Sequence, residues 1–237
     1  MHRRSFLKTG ALMSAGIAGA CGLPLLTALR TSAASEGARA RGVRWGMVIE
    51  LDRCPAGCTA CVDACRAEHD QSPDPDPRWD VHRIRLVELE PTRLAGAAHK
   101  TVPLLCNHCD EPPCVLACPI QATYRRADGI VIVDPHRCMG CRYCMMACPF
   151  KVPTYEWTSV TPRVRKCIMC SDRLAQGKPT ACSEACPTGA TLFGERDELL
   201  QTARERIAQE PGKYYPAIFG EHEVGGEDQQ QNDERGD

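Results

Sequence analysis

Sixteen of the seventeen cysteines in this 237-residue chain fall into four groups of four. They are Cys54, Cys58, Cys61 and Cys65; Cys106, Cys109, Cys114 and Cys118; Cys138, Cys141, Cys144 and Cys148; and Cys167, Cys170, Cys182 and Cys186. Thiols so spaced either bind soft metals or close disulfides. The third group reads Cys-x2-Cys-x2-Cys-x3-Cys-Pro, the run in which three neighbouring thiolates take three irons of one [4Fe-4S] cubane and the fourth reaches the other cluster of a pair. Short spacing lets a loop curl around a cubane and aim its N–H groups at the sulfurs, and Pro after the last Cys suits the start of a helix.

Disulfides and zinc are the competing chemistries. Cysteines two residues apart do not readily bridge each other, and a metal-like spacing that ends three times in Cys-Pro is foreign to a disulfide framework. Zinc ribbons set two Cys-x2-Cys pairs well apart, whereas each of the first three groups here packs four Cys within thirteen residues. The spacing therefore points to four [4Fe-4S] clusters.

Composition agrees with a fold organised by something other than apolar burial: 5% of the residues are aromatic, while Cys and Pro number 17 and 18. A formal net charge of −1 gives no basic field for phosphate, which sets nucleic acid aside as a partner. No phosphate-binding loop of the GxxxxGK type and no Ser-His-Asp spacing occurs, so no catalytic residue is nominated.

The elements that must position the groups are short. Apolar runs at Val43 to Leu51, Val102 to Leu105 and Ile130 to Val133 read as strands ahead of groups one, two and three. Asp128-Gly129 between Ala122-Thr123-Tyr124 and Ile130–Val133 is a hairpin signal. Thr191 to Gly194 reads as a closing strand, Glu195 to Gln209 as an exposed helix, and Gln71 to Pro77 as a loop. The expected fold is α+β, with two ferredoxin-like dicluster modules: a central one over residues 100–150, and an outer one built from the first and fourth Cys groups, residues 43–99 and 151–194. Residues 195–237 form a C-terminal helix followed by an acidic tail, from Glu221 onward, read as disordered.

The N-terminus reads as an address. Arg3-Arg4-Ser5-Phe6-Leu7-Lys8 precedes an uncharged stretch from Thr9 to Leu29 rich in Ala, Gly and Leu, the layout of a signal peptide of the twin-arginine type, which exports folded proteins. His2 departs from the usual Ser or Thr. A transmembrane anchor over Ala11 to Leu29 is the alternative, but Pro24 and several Gly make a poor permanent helix, and the small residues from Thr31 to Ser35 offer a cleavage site near residue 34. On this reading residues 1–34, with Cys21, are removed.

Four blocks of residues carry a family resemblance: Gly46 to Cys54; Cys106-Asn107-His108-Cys109-Asp110-Glu111-Pro112-Pro113-Cys114; Cys138-Met139-Gly140-Cys141-Arg142-Tyr143-Cys144; and Lys166-Cys167-Ile168-Met169-Cys170 with Ala185-Cys186-Pro187-Thr188-Gly189-Ala190. Over Trp45 to Gly194 the sequence resembles the four-cluster iron–sulfur subunits of the DMSO reductase type, which include exported subunits of nitrite, polysulfide and tetrathionate reduction and of Dsr-type complexes. The first group departs from that pattern, with three residues rather than two between Cys54 and Cys58. The resemblance implies cubanes held by Cys54, Cys58, Cys61 with Cys186; by Cys167, Cys170, Cys182 with Cys65; by Cys106, Cys109, Cys114 with Cys148; and by Cys138, Cys141, Cys144 with Cys118. It implies a non-catalytic electron-transfer subunit, periplasmic and held at the membrane by a quinone-interacting integral subunit of polysulfide-reductase type. The alternative is direct service to a molybdopterin oxidoreductase, and a cytochrome c subunit is a further candidate partner; a structural zinc scaffold is the rival from another class. His108 is expected to pack or hydrogen-bond behind the ligands. Lys166, Arg142 and Arg137 either raise cluster potentials or are simple surface charge.

Overall fold

The computed structural model describes residues 42–89 and 100–221. The expected signal peptide, Cys21 and the tail beyond Glu221 lie outside the described residues. From Val43 the chain forms one compact unit, and among the described residues no helix is long and apolar enough to cross a membrane.

Strand β1, Trp45–Ile49, opens the described chain. It is shorter than its apolar run because Leu51–Arg53 forms a 3-10 turn that leads to Cys54. Helix α1, Ala60–Glu68, follows, with Cys61 and Cys65 four residues apart on its buried face. Its C-terminal turn is tied to the Pro-rich loop by Arg66, whose guanidinium donates to both Asp80 carboxylate oxygens at 3.2 and 2.5 Å. Strand β2, Arg85–Leu89, pairs antiparallel with β3, Lys100–Leu104, in a register that sets Arg85 against Leu104. Helix α2, Pro113–Leu116, starts on a proline whose missing N–H costs nothing at that position. Strands β4, Thr123–Arg125, and β5, Val131–Val133, form the hairpin expected from Asp128-Gly129; Gly129 takes φ +84°, and the Asp128 carboxylate accepts from the Ile130 N–H at 3.3 Å.

Helix α3, Tyr143–Ala147, carries Cys144. A small hairpin absent from the expected elements follows, β6, Thr154–Tyr155, with β7, Val164–Arg165. Helix α4, Ser171–Ala175, is capped by Cys170, and α5, Ala181–Glu184, carries Cys182, before strand β8, Thr191–Glu195, and helix α6, Arg196–Gln209.

The long-range frame is the β1–β8 ladder, antiparallel from Trp45 opposite Glu195 to Ile49 opposite Thr191. Trp45 stacks on Phe193 with ring centroids 5.2 Å apart. Helix α1 packs on α5, and α2 on α3, so the first Cys group meets the fourth and the second meets the third. Glu50 clamps α6 to this frame, accepting from Arg206 Nη1 and from the Tyr214 hydroxyl at 2.5 Å each. The core is built around the thiols themselves: Cys61, Cys65, Cys167 and Cys182 are buried with Ile84 and Leu105, and Met47, Ile49, Val62 and Leu86 pack against them.

Candidate metal centre

The cysteine loops turn through backbone conformations that L-residues rarely adopt. Positive φ occurs at Gly57, His108, Gly140, Arg142, Met169 and Cys170, all inside the four groups. Non-glycine residues there carry strain of order 1–3 kcal/mol each and persist where the surroundings enforce them. At Gly140 the side chain is excluded as well, since a Cβ would stand 2.6 Å from the Pro162 carbonyl oxygen; the base of the β6–β7 loop lies against the loop of the third group.

A second device recurs after the last Cys of three groups. The N–H of Gln121 donates to the Cys118 carbonyl, that of Lys151 to Cys148, and that of Gly189 to Cys186, each at 3.2 Å. All three third residues have positive φ, +52°, +49° and +63°. The Cys-Pro-x-x turn thus ends each helix-bearing group and reverses the course of the backbone. Cys65 has no following Pro, and α1 runs on past it to Glu68.

All sixteen described cysteines are free thiols, and their electrostatic neighbours show which stand together. Burial raises the Cys54 thiol pKa, and Cys58 and Cys186 add to the rise. Cys61 is pushed up to about 11 by burial, then by Cys182, Cys54 and Cys58. Cys65 is pushed up to about 12 by burial, then by Cys182 and Cys170, against a pull from Arg83. Cys109 rises to about 11 through burial and the nearby Cys106, Cys114 and Cys148. Burial raises Cys144 to about 11, with Cys114, Cys138, Cys118 and Cys141 as neighbours. Cys118 and Cys186 go the other way. Burial would raise them, but backbone N–H groups outweigh it, among them Ala122 and Thr123 at 3.2 and 3.5 Å from the Cys118 sulfur.

This donor set fits an iron–sulfur cofactor. Buried thiols with raised pKa become thiolates only when a bound cation supplies the compensating charge, as metal coordination does. Cys106, Cys109, Cys114 and Cys148 line one cavity together with Pro112, Phe150, Val152 and Lys166, a largely apolar wall with one lysine in it. Among the described residues no three His, Cys, Asp or Glu side chains come close enough to hold a single metal ion. Cys106, Cys109, Cys114 and Cys148 border a hollow instead of converging on a point.

His108 behaves as expected. It is buried, its Nδ1 accepts from the Val131 N–H at 2.9 Å, and burial followed by the Lys166 charge holds its pKa well below the usual value. The neutral ring therefore carries its proton on Nε2, a buried donor with no partner among the described residues. The three cationic residues part company. Arg137 is exposed and donates to the Ile120 carbonyl at 3.1 Å. Arg142 lays its guanidinium over the Tyr155 and Trp157 rings at 5.4 and 5.0 Å. Lys166 is not surface charge at all, being 2% exposed.

Two residues near the thiols belong to no motif. Arg83 is largely buried beside Cys65, Cys167 and Cys170 and donates to the Lys166 carbonyl at 2.5 Å. His69 places Nε2 3.7 Å from the Cys170 sulfur. Nothing in the spacing around either residue marks it; each is brought in by the path of β2 or by the end of α1.

Comparison with known proteins agrees with this chemistry. Residues 97–196 match the 4Fe-4S dicluster domain. The sequence is 39% identical over 244 residues to a protein of Nitratidesulfovibrio vulgaris, a match that takes in 95% of this protein and 62% of that relative, so less than two thirds of the relative's own length is spanned. It is 37% identical over 221 residues to protein NrfC of Escherichia coli, covering 92% and 91% of the two proteins. It is 38% identical over 173 residues to one subunit of the anaerobic dimethyl sulfoxide reductase of Shigella flexneri, covering 71% and 82%. Thiols in ferredoxin spacing held in chain-reversing loops, the 4Fe-4S dicluster match and the likeness to these relatives place the protein in the family of iron–sulfur electron-transfer subunits of the DMSO reductase type.

Proposed function

We propose that the protein carries four [4Fe-4S] clusters on two ferredoxin-like modules and passes electrons, in the periplasm, to or from a quinone-interacting integral membrane subunit. The observation that carries the four-cluster reading is the grouping of the thiols. Cys54 neighbours Cys58 and Cys186, Cys61 neighbours Cys182, Cys54 and Cys58, Cys65 neighbours Cys182 and Cys170, Cys109 and Cys114 neighbour Cys148, and Cys144 neighbours Cys114, Cys138, Cys118 and Cys141. This supports ligand sets Cys54, Cys58, Cys61, Cys186; Cys167, Cys170, Cys182, Cys65; Cys106, Cys109, Cys114, Cys148; and Cys138, Cys141, Cys144, Cys118. The β1–β8 ladder and the α1–α5 contact support an outer module built from the two separated pieces of sequence.

When bound, each cluster supplies one-electron chemistry. The residues of this protein hold the thiolates in place, donate backbone N–H groups to them, and keep water away from the cavity walls. Leu116, Met139, Tyr143 and Met146 lie between ligands of the second and third groups and are exposed, which supports a partner docked over these clusters. The paired Arg3 and Arg4 support export. Likeness to a subunit of dimethyl sulfoxide reductase favours a second reading, direct service to a molybdopterin oxidoreductase.

Anaerobic purification from native membranes, with identification of the bound subunit, tests the choice. An integral membrane protein is expected. A soluble catalytic subunit in its place overturns the first reading in favour of the second.

A further inference from the structure

Lys166 is buried where a lone charge is costly. Its Nζ donates to the Val131 carbonyl and, at 3.0 Å, to the Cys167 carbonyl, and lies 3.5 Å from the Cys106 sulfur. Three acceptors around one nitrogen take three N–H bonds, which the ammonium has and the neutral amine lacks. Its hydrogen-bond partners among the described residues are two backbone carbonyls and a sulfur, none of them a carboxylate. The counter-charge such an ammonium needs is therefore on the sulfur side.

The position is a junction. Lys166 lines the cavity of Cys106, Cys109, Cys114 and Cys148, while its own neighbour in sequence, Cys167, is buried beside Cys106 and Cys182. Behind it, Arg83 donates to the Lys166 carbonyl and faces Cys65, Cys167 and Cys170. A buried ammonium thus stands between thiols of the second group and thiols of the fourth, in a medium that screens it far less than water does.

We propose that Lys166 is the charge that raises the potentials of the two clusters adjoining it, those of the Cys106 and Cys167 sets, and so makes this contact the crossing point for electrons between the two modules. The inference rests on the four-cluster reading above. Reduction at either site adds one electron and one negative charge. No bond breaks and no proton is taken up, and the added charge is stabilised by the ammonium. Without it the reduced state loses that stabilisation and the potential falls. The Cys54 and Cys138 sets, whose thiols do not touch Lys166, keep theirs.

The test uses the full-length holoprotein with Lys166→Gln, which keeps N–H donors and removes the charge, and Lys166→Arg, which keeps the charge. Iron is counted first: wild type with well below about sixteen iron per molecule counts against the four-cluster reading itself. EPR-monitored titration with a one-electron reductant follows. In Lys166→Gln, two of the four signals are expected to need a potential lower by at least about 59 mV, the one-electron equivalent of a tenfold change, with the other two unmoved. Four unmoved signals, or four that move together, overturn the proposal. Should glutamine leave the protein unloaded, the arginine variant still decides. Retained potentials support the charge role, and a tenfold displacement in a fully loaded Lys166→Arg overturns it.

Discussion

The N–H of Glu50 donates to the Ala190 carbonyl at 2.8 Å, and this bond closes the end of the β1–β8 ladder from which Cys54 and Cys186 both depart. Four residues beyond Glu50 comes Cys54; four residues before Ala190 stands Cys186. Two thiols far apart in sequence are thereby made electrostatic neighbours.

Cys186→Ser is accordingly expected to disturb the cluster held by Cys54, Cys58 and Cys61, because the fourth iron loses its thiolate to water or to a weaker Ser oxygen. EPR under graded reduction should show one signal shifted or lost, with those of the central pair intact. Damage confined to the cluster of Cys167, Cys170 and Cys182 would show that the groups are used sequentially.

Gly140→Ala should destabilise the holoprotein by more than Gly177→Ala. Both sites have positive φ, +72° and +73°, but an added Cβ meets the Pro162 carbonyl oxygen at 2.6 Å in one and open space in the other. Conformational strain alone costs about 1–2 kcal/mol, and the clash adds to it at Gly140. Thermal melting of the loaded protein ranks the two; equal losses would mean that the Pro162 segment does not constrain the third cysteine loop.

Asp80→Asn should loosen the Pro-rich loop from α1 at a cost of about 1–3 kcal/mol. Burial opposes ionisation of Asp80, but the Arg66 guanidinium and the Asp74 N–H outweigh it and hold the carboxyl below its usual 3.8. A depressed carboxylate contributes stability that is present above its unfolded pKa and is lost as pH falls through the folded one. Asp80 itself stays ionised from pH 7 to pH 5, while His82, whose Nδ1 lies 3.5 Å from its carboxylate, is helped by that charge to take up a proton. The difference between wild type and variant, measured by denaturant unfolding of the loaded protein, should therefore hold or widen from pH 7 to pH 5. A gap that shrinks over that interval would contradict the assignment.

Much of this frame was legible in the sequence because the signals are local. Strict cysteine spacing marks the loops, Asp128-Gly129 marks a turn that needs φ > 0 at one glycine, and the apolar runs mark β1, β3, β5 and β8. Strand β2 and the β6–β7 hairpin were not legible. Arg85–Leu89 is a strand because β3 lies alongside it, and the two-residue strands of the later hairpin are too short to show a period. Lys166 and Arg83 were illegible as groups set among the thiols for a related reason: a sequence pattern shows that a residue is charged, but the partners arrive from far away in sequence, Val131 and Cys106 for Lys166, and the Lys166 carbonyl with Cys65, Cys167 and Cys170 for Arg83.

On the proposed reading of Arg3 and Arg4 as a twin-arginine export signal, their replacement by Lys is expected to strand the protein in the cytoplasm with its clusters already in place. Fractionation followed by EPR of the cytoplasmic pool checks this, and unchanged export would mean that the N-terminal segment acts by another route.

Sixteen thiols of one polypeptide holding four cubanes, as proposed, require a fixed amount of metal. Protein purified anaerobically should contain about sixteen iron and an equal amount of acid-labile sulfide per molecule. Zinc in place of iron, or about half that iron with half the sulfide, would contradict the four-cluster reading.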